Sequence, residues 1–290
     1  MNVSTSRPLA VITGASSGIG AVFAKKLAAR GYDLLLMARR DDRLKELAAS
    51  LPEVEVRTLA VDLTEADDLE AAAAQIKAEP HVDLLVNNAG FGTRGLFHEA
   101  PYAEQLRMHR LHIDAILRLT HAALPGMVGR NGGALINVSS VAAFTRTPRN
   151  VSYCATKAWI SAFTEGIYLE MKISAPGVTV QALCPGFTYS EFHDVAGVDR
   201  GRIAKSLWMN ADTVVEASLR GLAARRLFVV PGWRYRLLTM MVSRIPTALR
   251  LALETRSPHT REAGDGNAKT NPAARAALKT EVPGHKKHLD

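Results

Sequence analysis

The chain has 290 residues, of which 47% are hydrophobic, 22% charged and 6% aromatic. This apolar content is enough for one large core, which excludes a chain that is disordered throughout. The two cysteines, Cys154 and Cys184, are too few for a disulfide framework, and no secretory leader precedes the first apolar run, so we expect a reducing cytoplasmic environment. No uncharged apolar run reaches eighteen residues, so the sequence predicts no membrane-spanning helix.

The formal net charge of +8 is concentrated at one end of the chain. Residues 233–290 contain eleven Lys and Arg against five Asp and Glu, whereas residues 1–232 contain twenty-five against twenty-three. A basic surface that binds nucleic acid is usually accompanied by a recognition motif, and none accompanies this charge. We therefore expect no nucleic-acid partner and interpret the basic end as a solvated tail.

From residue 8 onward, short apolar runs alternate with longer Ala-rich segments of helical period, a pattern typical of repeated strand-helix-strand units. The predicted strands are Leu9–Thr13, Asp33–Ala38, Glu55–Ala60, Leu84–Val86, Ala134–Val138, Val178–Leu183 and Leu227–Val230. The predicted helices are Gly18–Arg30, Asp42–Leu51, Ala66–Ala78, Tyr102–Val128, Val151–Lys172 and Ala211–Ala224, with Thr64 and Asn210 as N-caps. The pattern predicts the α/β class, with a single-domain doubly wound (Rossmann) fold around a seven-stranded parallel sheet.

The pattern changes beyond Pro231, so we divide the chain into three parts. Residues 1–232 form the predicted strand-helix domain, residues 233–254 a helical appendage, and residues 255–290 a polar basic tail that we expect to be disordered. Arginines are interleaved with apolar residues in the appendage, which allows a helix lying in a membrane interface or one that packs on the core or on a partner subunit. We favour packing, and peripheral membrane contact stays the alternative.

A glycine-rich turn follows the first predicted strand and opens the first helix. Its backbone N–H groups and the positive end of the helix would face an anion, and a pyrophosphate fits that position. The spacing Gly-x-x-x-Gly-x-Gly provides a tight turn and close approach, although a turn that binds nothing is the alternative from the glycines alone. The residues expected to contact a dinucleotide here are Gly14, Ser16, Ser17, Gly18, Ile19 and Gly20.

The end of the second strand indicates which dinucleotide is bound. NAD-binding proteins usually place an acidic residue there, whereas the 2′-phosphate of NADP requires a cation. Here the strand ends in Ala38-Arg39-Arg40, so Arg39 is the expected partner of the phosphate, with Arg40 in support. A solvated position at the start of the next helix is the alternative for Arg40. The sequence thus predicts NADP(H) as the cofactor.

Tyr153 and Lys157 lie four residues apart on a predicted helix, which places both side chains on one face. A free phenol titrates near ~10, and a nearby ammonium favours the phenolate and lowers that pKa. Ser140 ends the fifth strand, close enough in a doubly wound sheet to hydrogen-bond a carbonyl oxygen held by the tyrosine. We predict that Tyr153 is the acid or base of a hydride-transfer reaction, that Lys157 tunes it, and that Ser140 orients the carbonyl.

Taken together, the motifs resemble those of short-chain dehydrogenase/reductases, from about residue 8 to residue 232. The features that carry the resemblance, in family order, are the glycine turn, Asp62, Asn87-Asn88-Ala89-Gly90, Ser140, the Tyr153 and Lys157 pair, and Pro185-Gly186. The resemblance implies an NADP(H)-preferring reductase similar to the 3-oxoacyl or hydroxysteroid types, and a homodimer or homotetramer built on the two longest predicted helices.

The resemblance also implies roles for individual residues. Asp62 and Leu63 would contact the adenine, Asn88 the nicotinamide-side ribose region, and Thr188, two residues beyond Pro185-Gly186, the carboxamide. Further expected contacts of the cofactor are Ala89, Gly90, Tyr153, Lys157, Pro185 and Gly186. Asn87 is interpreted as a structural residue that ties neighbouring strands together.

One position departs from the family. An Asn of the long helix after the fourth strand usually supports a water in a proton relay to the lysine, and alignment through Arg118-Leu119-Thr120 puts His112 in that place. A histidine can donate and accept, so the relay could survive with its own titration near ~6.5. A slipped alignment, or a histidine with no role, is the alternative.

The segment beyond Pro185-Gly186 is where the family covers its substrate. The apolar residues expected to form this wall are Phe187, Tyr189, Phe192, His193, Leu207 and Trp208, with Phe144 and residues 91–97. They predict a lipophilic ketone or alcohol, although any single aromatic is more often core than pocket. The other histidines, His98, His109, His121 and His193, have no metal-ligand spacing, so we expect no metal.

The leading hypothesis is therefore an NADPH-dependent reductase of a lipophilic ketone, with reduction favoured over oxidation of the secondary alcohol. The same site could run as an NADP-dependent alcohol dehydrogenase, since metabolite ratios set the direction. A non-catalytic NADP-binding sensor or scaffold is the alternative from a different class. The intact set of Ser140, Tyr153 and Lys157 argues against it.

Overall fold

The computed structural model describes residues 7–93, 95–191, 204–246, 248, 249 and 251. The chain divides into two compact units, Met1–Ile245 and Pro246–Asp290. The first unit contains all the elements described below. Four residues of the second are described, and the predicted tail at 255–290 lies outside the described residues.

A parallel sheet forms the centre of the first unit. Its strands, in chain order, are β1 Leu9–Thr13, β2 Asp33–Ala38, β3 Val56–Ala60, β4 Leu84–Asn87, β5 Ala134–Val138, β6 Thr179–Leu183 and β9 Phe228–Val229. Within the described residues this sheet has seven strands in the order β3-β2-β1-β4-β5-β6-β9. The order reverses between β1 and β4, as in doubly wound folds. The predicted fold class is confirmed.

Helices cover both faces of the sheet. Their bounds are α1 Gly18–Ala28, α2 Asp41–Ala49, α3 Ala66–Ala78, α4 Tyr102–His109, α5 Ala115–Gly129, α6 Val151–Ser174, α7 Ala211–Ala223 and α8 Trp233–Arg244. Side chains alternate along β1, so that Ile12 packs in one buried cluster with Phe23 of α1, whereas Val11 packs in a second with Leu119 of α5. The two clusters are the two cores of a three-layer domain.

The long helix predicted at Tyr102–Val128 is interrupted. A π-helical segment, Arg110–Asp114, separates α4 from α5. Periodicity does not reveal such an insertion, because one extra residue in a turn leaves the flanking pattern helical. The segment carries His112, which is buried.

The two predicted N-caps have different outcomes. Glu65, not Thr64, occupies the N-cap position of α3, and the Thr64 hydroxyl instead donates to the Asp62 carboxylate at 2.8 Å. The prediction for Thr64 is wrong, because the nearby carboxylate is a stronger acceptor for this hydroxyl. Asn210 does occupy the N-cap position of α7, although its side chain makes no capping hydrogen bond.

Two further short strands form a separate two-stranded sheet. β7 Thr188–Tyr189 pairs in parallel with β8 Met209–Asn210. The last helix, α8, lies against a 3₁₀ turn at Val141–Phe144 and ends before Pro246. None of the helices in the described residues has the length and apolar character to cross a membrane.

Candidate active site

A cleft of about 610 Å³ opens at the carboxyl ends of the parallel strands. Ligands bind at this edge in open α/β sheets, because the loops after neighbouring strands converge there. All the residues predicted from the sequence to hold the dinucleotide or to act on the substrate line this cleft, apart from Gly20 and His112. The fold therefore brings together motifs that are separated by up to about 170 residues in the chain.

The glycine turn lies between β1 and α1. Gly14 and Gly18 have φ values of 65° and 55°, in the left-handed region that favours glycine. The Asn88 amide braces the turn by donating to the carbonyl oxygen of Thr13 at 2.9 Å. The Thr13 hydroxyl in turn accepts from the backbone N–H groups of Asn88 and Ala89 at 2.9 and 3.0 Å. The glycine turn and the loop after β4 are thus joined into one hydrogen-bonded unit. The sequence had not predicted a role for Thr13 in it.

Two arginines reach the adenosine end of the cleft in different ways. The guanidinium of Arg40 donates to the Ser16 hydroxyl through Nε and Nη2, at 3.3 and 3.1 Å, and pairs with Glu191 at 2.8 Å. The side chain of Arg39 is 62% exposed and lies 3.6 Å from the Asp62 carboxylate. Arg40 is therefore tied to the glycine turn, whereas Arg39 is open to an incoming anion.

Asp62 is held by the loop that follows β3. Partial burial by itself would raise the pKa of this carboxyl, but hydrogen bonds from the Thr64 backbone and hydroxyl, with Arg39 and Arg107 nearby, hold the pKa below its usual value. Asp62 is therefore ionised at neutral pH and fixed in position at the wall of the cleft.

The residues predicted to act on the substrate meet at the other end of the cleft. Helix α6 places Lys157 one turn after Tyr153, with its ammonium 5.8 Å from the centre of the tyrosine ring. The ammonium donates to the Val138 carbonyl oxygen at 2.9 Å, which fixes it beneath the end of β5. Ser140 hydrogen-bonds the Tyr153 hydroxyl, and its Oγ accepts from the Ala142 backbone at 3.1 Å. The three side chains form one group, and all three line the cleft.

Burial changes the proton affinity of this group. It raises the pKa of Tyr153 to about 12, partly offset by the hydrogen bond with Ser140, although the ring keeps some surface open to the cleft. The lowering of this pKa predicted from the nearby Lys157 ammonium is therefore not found, because burial is the largest influence on the phenol. It lowers the pKa of Lys157 to about 7, because an ammonium in a dry environment is poorly solvated. At neutral pH the tyrosine is a neutral acid, and the lysine beside it exchanges its proton readily.

His112 lies directly behind this group. Its Nδ1 is 2.9 Å from the Thr156 hydroxyl, which donates its proton to the Tyr153 carbonyl oxygen at 3.0 Å. The hydroxyl has one proton, so Nδ1 must be the donor to it, and Nε2 carries a lone pair. Nε2 has no hydrogen-bond partner among the described residues. Burial and the charge of Lys157 hold the pKa of His112 well below its usual value, so the ring is neutral.

The unpartnered nitrogen of His112 faces Gly90. A Cβ added at Gly90 would lie 2.8 Å from Nε2 and 3.8 Å from the Lys157 ammonium. The two nitrogens therefore border the same small space at the end of β4, where the alignment with the family had placed the residue of the proton relay.

The glycine turn, the Tyr153 and Lys157 pair and the carboxyl-edge cleft agree with the comparison of the whole sequence, in which the short chain dehydrogenase family matches residues 8–199. The chain belongs to this family. It is an oxidoreductase of the type that acts on CH–OH groups and binds a nucleotide cofactor.

Similar proteins come from several organisms. A short-chain dehydrogenase of Sphingobium yanoikuyae, solved with NADPH, is 35% identical with a TM-score of 0.74, and the match covers 83% of this chain and 97% of that one. A bulky-bulky ketone specific alcohol dehydrogenase of Comamonas testosteroni is 30% identical with a TM-score of 0.72, over 84% and 97% of the two chains. A short chain dehydrogenase of Pseudocercospora fijiensis is 37% identical over 63% of this chain, and the match spans 60% of that relative.

The dehydrogenase has a further cleft residue that sequence reasoning missed. Tyr235 of α8 is buried, and its hydroxyl accepts from the Phe187 backbone N–H at 3.1 Å and donates to the Leu207 carbonyl oxygen at 2.7 Å. Its ring lies so close to Gly186 that a Cβ there would overlap it. No local pattern signals this contact, because the residues it joins are 28 and 48 positions away.

The aromatic wall predicted for this dehydrogenase is only partly right. Phe187, Leu207 and Phe91 line the cleft. Trp208 instead stacks on Tyr189 with ring centres 4.9 Å apart, and Phe144 packs edge-on against Phe228. None of these four rings lines the cleft, because each packs against another ring instead. Phe192 and His193 lie outside the described residues.

Within the described part of the dehydrogenase, no three His, Cys, Asp or Glu side chains are grouped so that they could hold a metal ion.

Proposed function

We propose that this dehydrogenase interconverts a lipophilic ketone and its secondary alcohol with NADP(H), and that reduction is the favoured direction. The observation that carries the proposal is the meeting of Ser140, Tyr153 and Lys157 at one end of a cleft whose other end holds the glycine turn and Arg39.

The cleft fits the dinucleotide. The turn at Gly14 and Gly18 leaves its backbone free for close approach of a pyrophosphate, and the exposed guanidinium of Arg39 suits a 2′-phosphate. The contact between Arg40 and Ser16 supports a second cation at that phosphate. A relative solved with NADPH is consistent with this preference.

The remaining contacts follow the family pattern. Asp62 and Leu63 would hold the adenine; Asn88, Ala89 and Gly90 the nicotinamide-side ribose region with Tyr153 and Lys157; and Pro185, Gly186 and Thr188 the carboxamide. When bound, the reduced cofactor supplies the hydride.

The chain's own residues position the carbonyl and provide the proton. Ser140 and Tyr153 donate hydrogen bonds to the carbonyl oxygen, which polarises the bond toward the incoming hydride. As the oxygen gains negative charge, the Tyr153 hydroxyl gives up its proton to form the alcohol. A pKa of about 12 keeps the tyrosine protonated at neutral pH, so that it can act as the acid when the ketone is reduced.

Lys157 and His112 would return the proton. The lowered pKa of Lys157 allows its ammonium to pass a proton toward the tyrosinate at neutral pH. The lone pair on Nε2 of His112 borders the same space and can hold a water in line with the lysine. His112 would thus serve in place of the Asn that the family usually has there.

The apolar lining of the substrate end supports a lipophilic substrate. Phe91, Phe187, Leu207 and Leu238 line that part of the cleft. The similar enzyme of Comamonas testosteroni is described as specific for bulky-bulky ketones, which agrees with a roomy apolar cleft.

The test is NADPH oxidation with a panel of lipophilic ketones, compared between the wild type and Tyr153→Phe. We expect ketone-dependent oxidation by the wild type and a loss of about 10²- to 10⁴-fold in the variant, as is usual for removal of a general acid. Tyr102→Phe, at a tyrosine that is 76% exposed, is the matched control and should be unaffected.

A Tyr153→Phe variant that turns over at the wild-type rate would show that another group supplies the proton. Tight NADPH binding without oxidation of cofactor by any ketone would instead favour a sensor or scaffold.

A further inference from the structure

Helix α8 has an apolar face that points away from the protein. Trp233, Leu237, Met240 and Met241 are 67%, 44%, 46% and 55% exposed. Their spacing of four, three and one places them on one side of the helix, and we call this side the outer face of α8. A surface helix normally buries its apolar stripe, but α8 exposes its apolar side to solvent.

The inner side of α8 explains this orientation. Tyr235 and Thr239, four residues apart, are buried on this side. The Tyr235 hydroxyl bonds the backbone at Phe187 and Leu207, and the Thr239 hydroxyl donates within the helix to the Tyr235 carbonyl at 3.0 Å. The helix is thus anchored by polar groups, and its apolar outer face is left for another surface.

The charge around the outer face is of one sign. Helix α8 carries Arg234, Arg236 and Arg244 and no acidic residue. At 100° per residue, Arg234 and Arg236 lie on opposite flanks of the outer face, and Arg244 continues it at the carboxyl end. The Arg234 guanidinium lies 5.3 Å from the Trp233 ring. An apolar stripe with a tryptophan and flanking arginines has the composition of helices that lie in the interface of an anionic bilayer.

A second copy of this chain fits the outer face less well. In a two-fold contact the same helix would face itself, so three arginines would meet three arginines with no carboxylate on either helix. An anionic lipid surface satisfies both the apolar stripe and the arginines.

The substrate cleft lies beside this face. Leu238 lines the cleft and is 46% exposed, and Tyr235 lines it from the inner side of the same helix. We propose that the outer face of α8 docks the protein on an anionic membrane surface, with the cleft opening next to the lipid. Membrane docking does not depend on the proposed function. The further idea that a lipophilic substrate enters the cleft from the lipid does rest on it.

The test is co-sedimentation of the full chain with extruded vesicles. One set contains phosphatidylcholine alone, and a second contains phosphatidylcholine with phosphatidylglycerol, each at low and high salt. We expect binding to the anionic vesicles that weakens with salt. Trp233→Glu should abolish it, whereas Tyr102→Glu, at an equally exposed aromatic residue of α4, should not.

A second pair of variants tests the charge. Arg236→Gln with Arg244→Gln should weaken binding by about fivefold for each arginine removed. Arg220→Gln, at an exposed arginine of α7, should have no effect.

Three results would overturn the proposal. The first is no binding to anionic vesicles. The second is binding that survives Trp233→Glu, since the basic tail would then be responsible. The third is a change of oligomeric state on Trp233→Glu, measured by analytical ultracentrifugation, since the outer face would then contact a second copy. Binding needs no turnover, so a failure of the proposed reaction would leave these results readable.

Discussion

At the scale of single residues, the cofactor end of the cleft depends on two neighbouring arginines in different environments. Arg40 is already engaged by Ser16 and Glu191, whereas Arg39 has only a 3.6 Å approach to Asp62 and is largely exposed. A free guanidinium can turn toward a phosphate at little cost, and hydrogen bonds to charged groups contribute about 1.5–3 kcal/mol each.

Arg39→Ala should therefore weaken NADPH binding by about 10- to 100-fold while leaving NADH binding unchanged. Arg40→Ala should weaken NADPH binding too, but by less, because the Arg40 guanidinium is already paired with Glu191. Fluorescence titration of both cofactors measures the effect. Arg43→Ala is the control, since Arg43 lies next to Glu191 but does not line the cleft. Equal affinity of the wild type for NADPH and NADH would defeat the phosphate assignment.

The burial of His112 should affect how the free energy of unfolding depends on pH. Its pKa in the folded chain lies well below the usual value, so the folded state binds fewer protons than the unfolded state once the pH falls below about 6.5. The free energy of unfolding must then decrease as the pH falls, by about 1.4 kcal/mol per pH unit for one proton. We expect His112→Asn to remove this part of the pH dependence in urea unfolding between pH 5 and pH 8.

Identical slopes for the wild type and His112→Asn would contradict the buried neutral state of His112. The relay has a separate test. His112→Ala should lower turnover and alter its pH profile, whereas Asn, the residue that the family usually has there, should restore most of the activity. Unaltered turnover in His112→Ala would remove His112 from the relay.

At the scale of elements, the end of α6 and the π segment before α5 place the groups that the reaction needs. The π segment at Arg110–Asp114 turns His112 inward toward α6, where it meets the Thr156 hydroxyl. Insertions of this kind are frequent at functional sites, because the widened turn re-aims one side chain without breaking the helix.

Helix α8 acts on the substrate end of the cleft through Tyr235. Its hydroxyl joins the backbone of Phe187 to the backbone of Leu207, and both residues line the cleft. Tyr235→Phe keeps the ring against Gly186 but loses both hydrogen bonds. We expect a several-fold rise in KM for the ketone, a smaller change in kcat, and a loss of stability of about 1–3 kcal/mol.

The control for this change is Tyr189→Phe, at a tyrosine on the same segment that does not line the cleft. NADPH affinity should be unchanged in both variants, since Tyr235 lies at the substrate end. A loss of stability with no change in KM would show that Tyr235 stabilises the fold but does not affect substrate binding.

At the scale of the whole molecule, the two long helices α5 and α6 have exposed apolar side chains. Leu169 and Ile173 of α6 are 58% and 88% exposed, and Leu117 of α5 is 49% exposed. The family resemblance predicts a homodimer or homotetramer built on these helices, and side chains of this kind need a covering surface. The oligomeric state and the cytoplasmic location remain predictions.

Ile173→Arg should shift the chain from oligomer to monomer at micromolar concentration, because a two-fold contact would bury the new charge twice. Sedimentation velocity measures the change. Phe97→Arg, at an exposed aromatic residue outside both helices, is the control and should stay oligomeric. A wild type that is already monomeric would contradict the expectation.

Much of the fold follows from local pattern. All seven sheet strands differ from their predicted bounds by no more than one residue at either end, because alternation and flanking turns are properties of neighbouring residues. Two predictions were wrong, namely the N-cap at Thr64 and the uninterrupted helix at Tyr102–Val128. The Thr64 hydroxyl donates to the Asp62 carboxylate, and an inserted π turn interrupts the long helix; neither feature changes the apolar periodicity from which the elements were predicted.

The sequence by itself determined the family, the parallel sheet and the position of the cleft. The reason is that parallel strands end at one edge, so motifs placed after successive strands must converge there. Tyr153 and Lys157 could be paired in advance because their spacing of four is a helical repeat.

Only the tertiary structure decided how these residues are supported. The brace between Thr13 and Asn88, the hydrogen bond of His112 with Thr156 and the contact of Tyr235 with Gly186 each join residues 44 or more positions apart, which no periodicity encodes. The same holds for α8, whose sequence allowed packing or membrane contact. Its outward apolar face became evident only when Tyr235 and Thr239 were found to occupy the buried side, because burial is a property of the packed molecule and not of the helix alone.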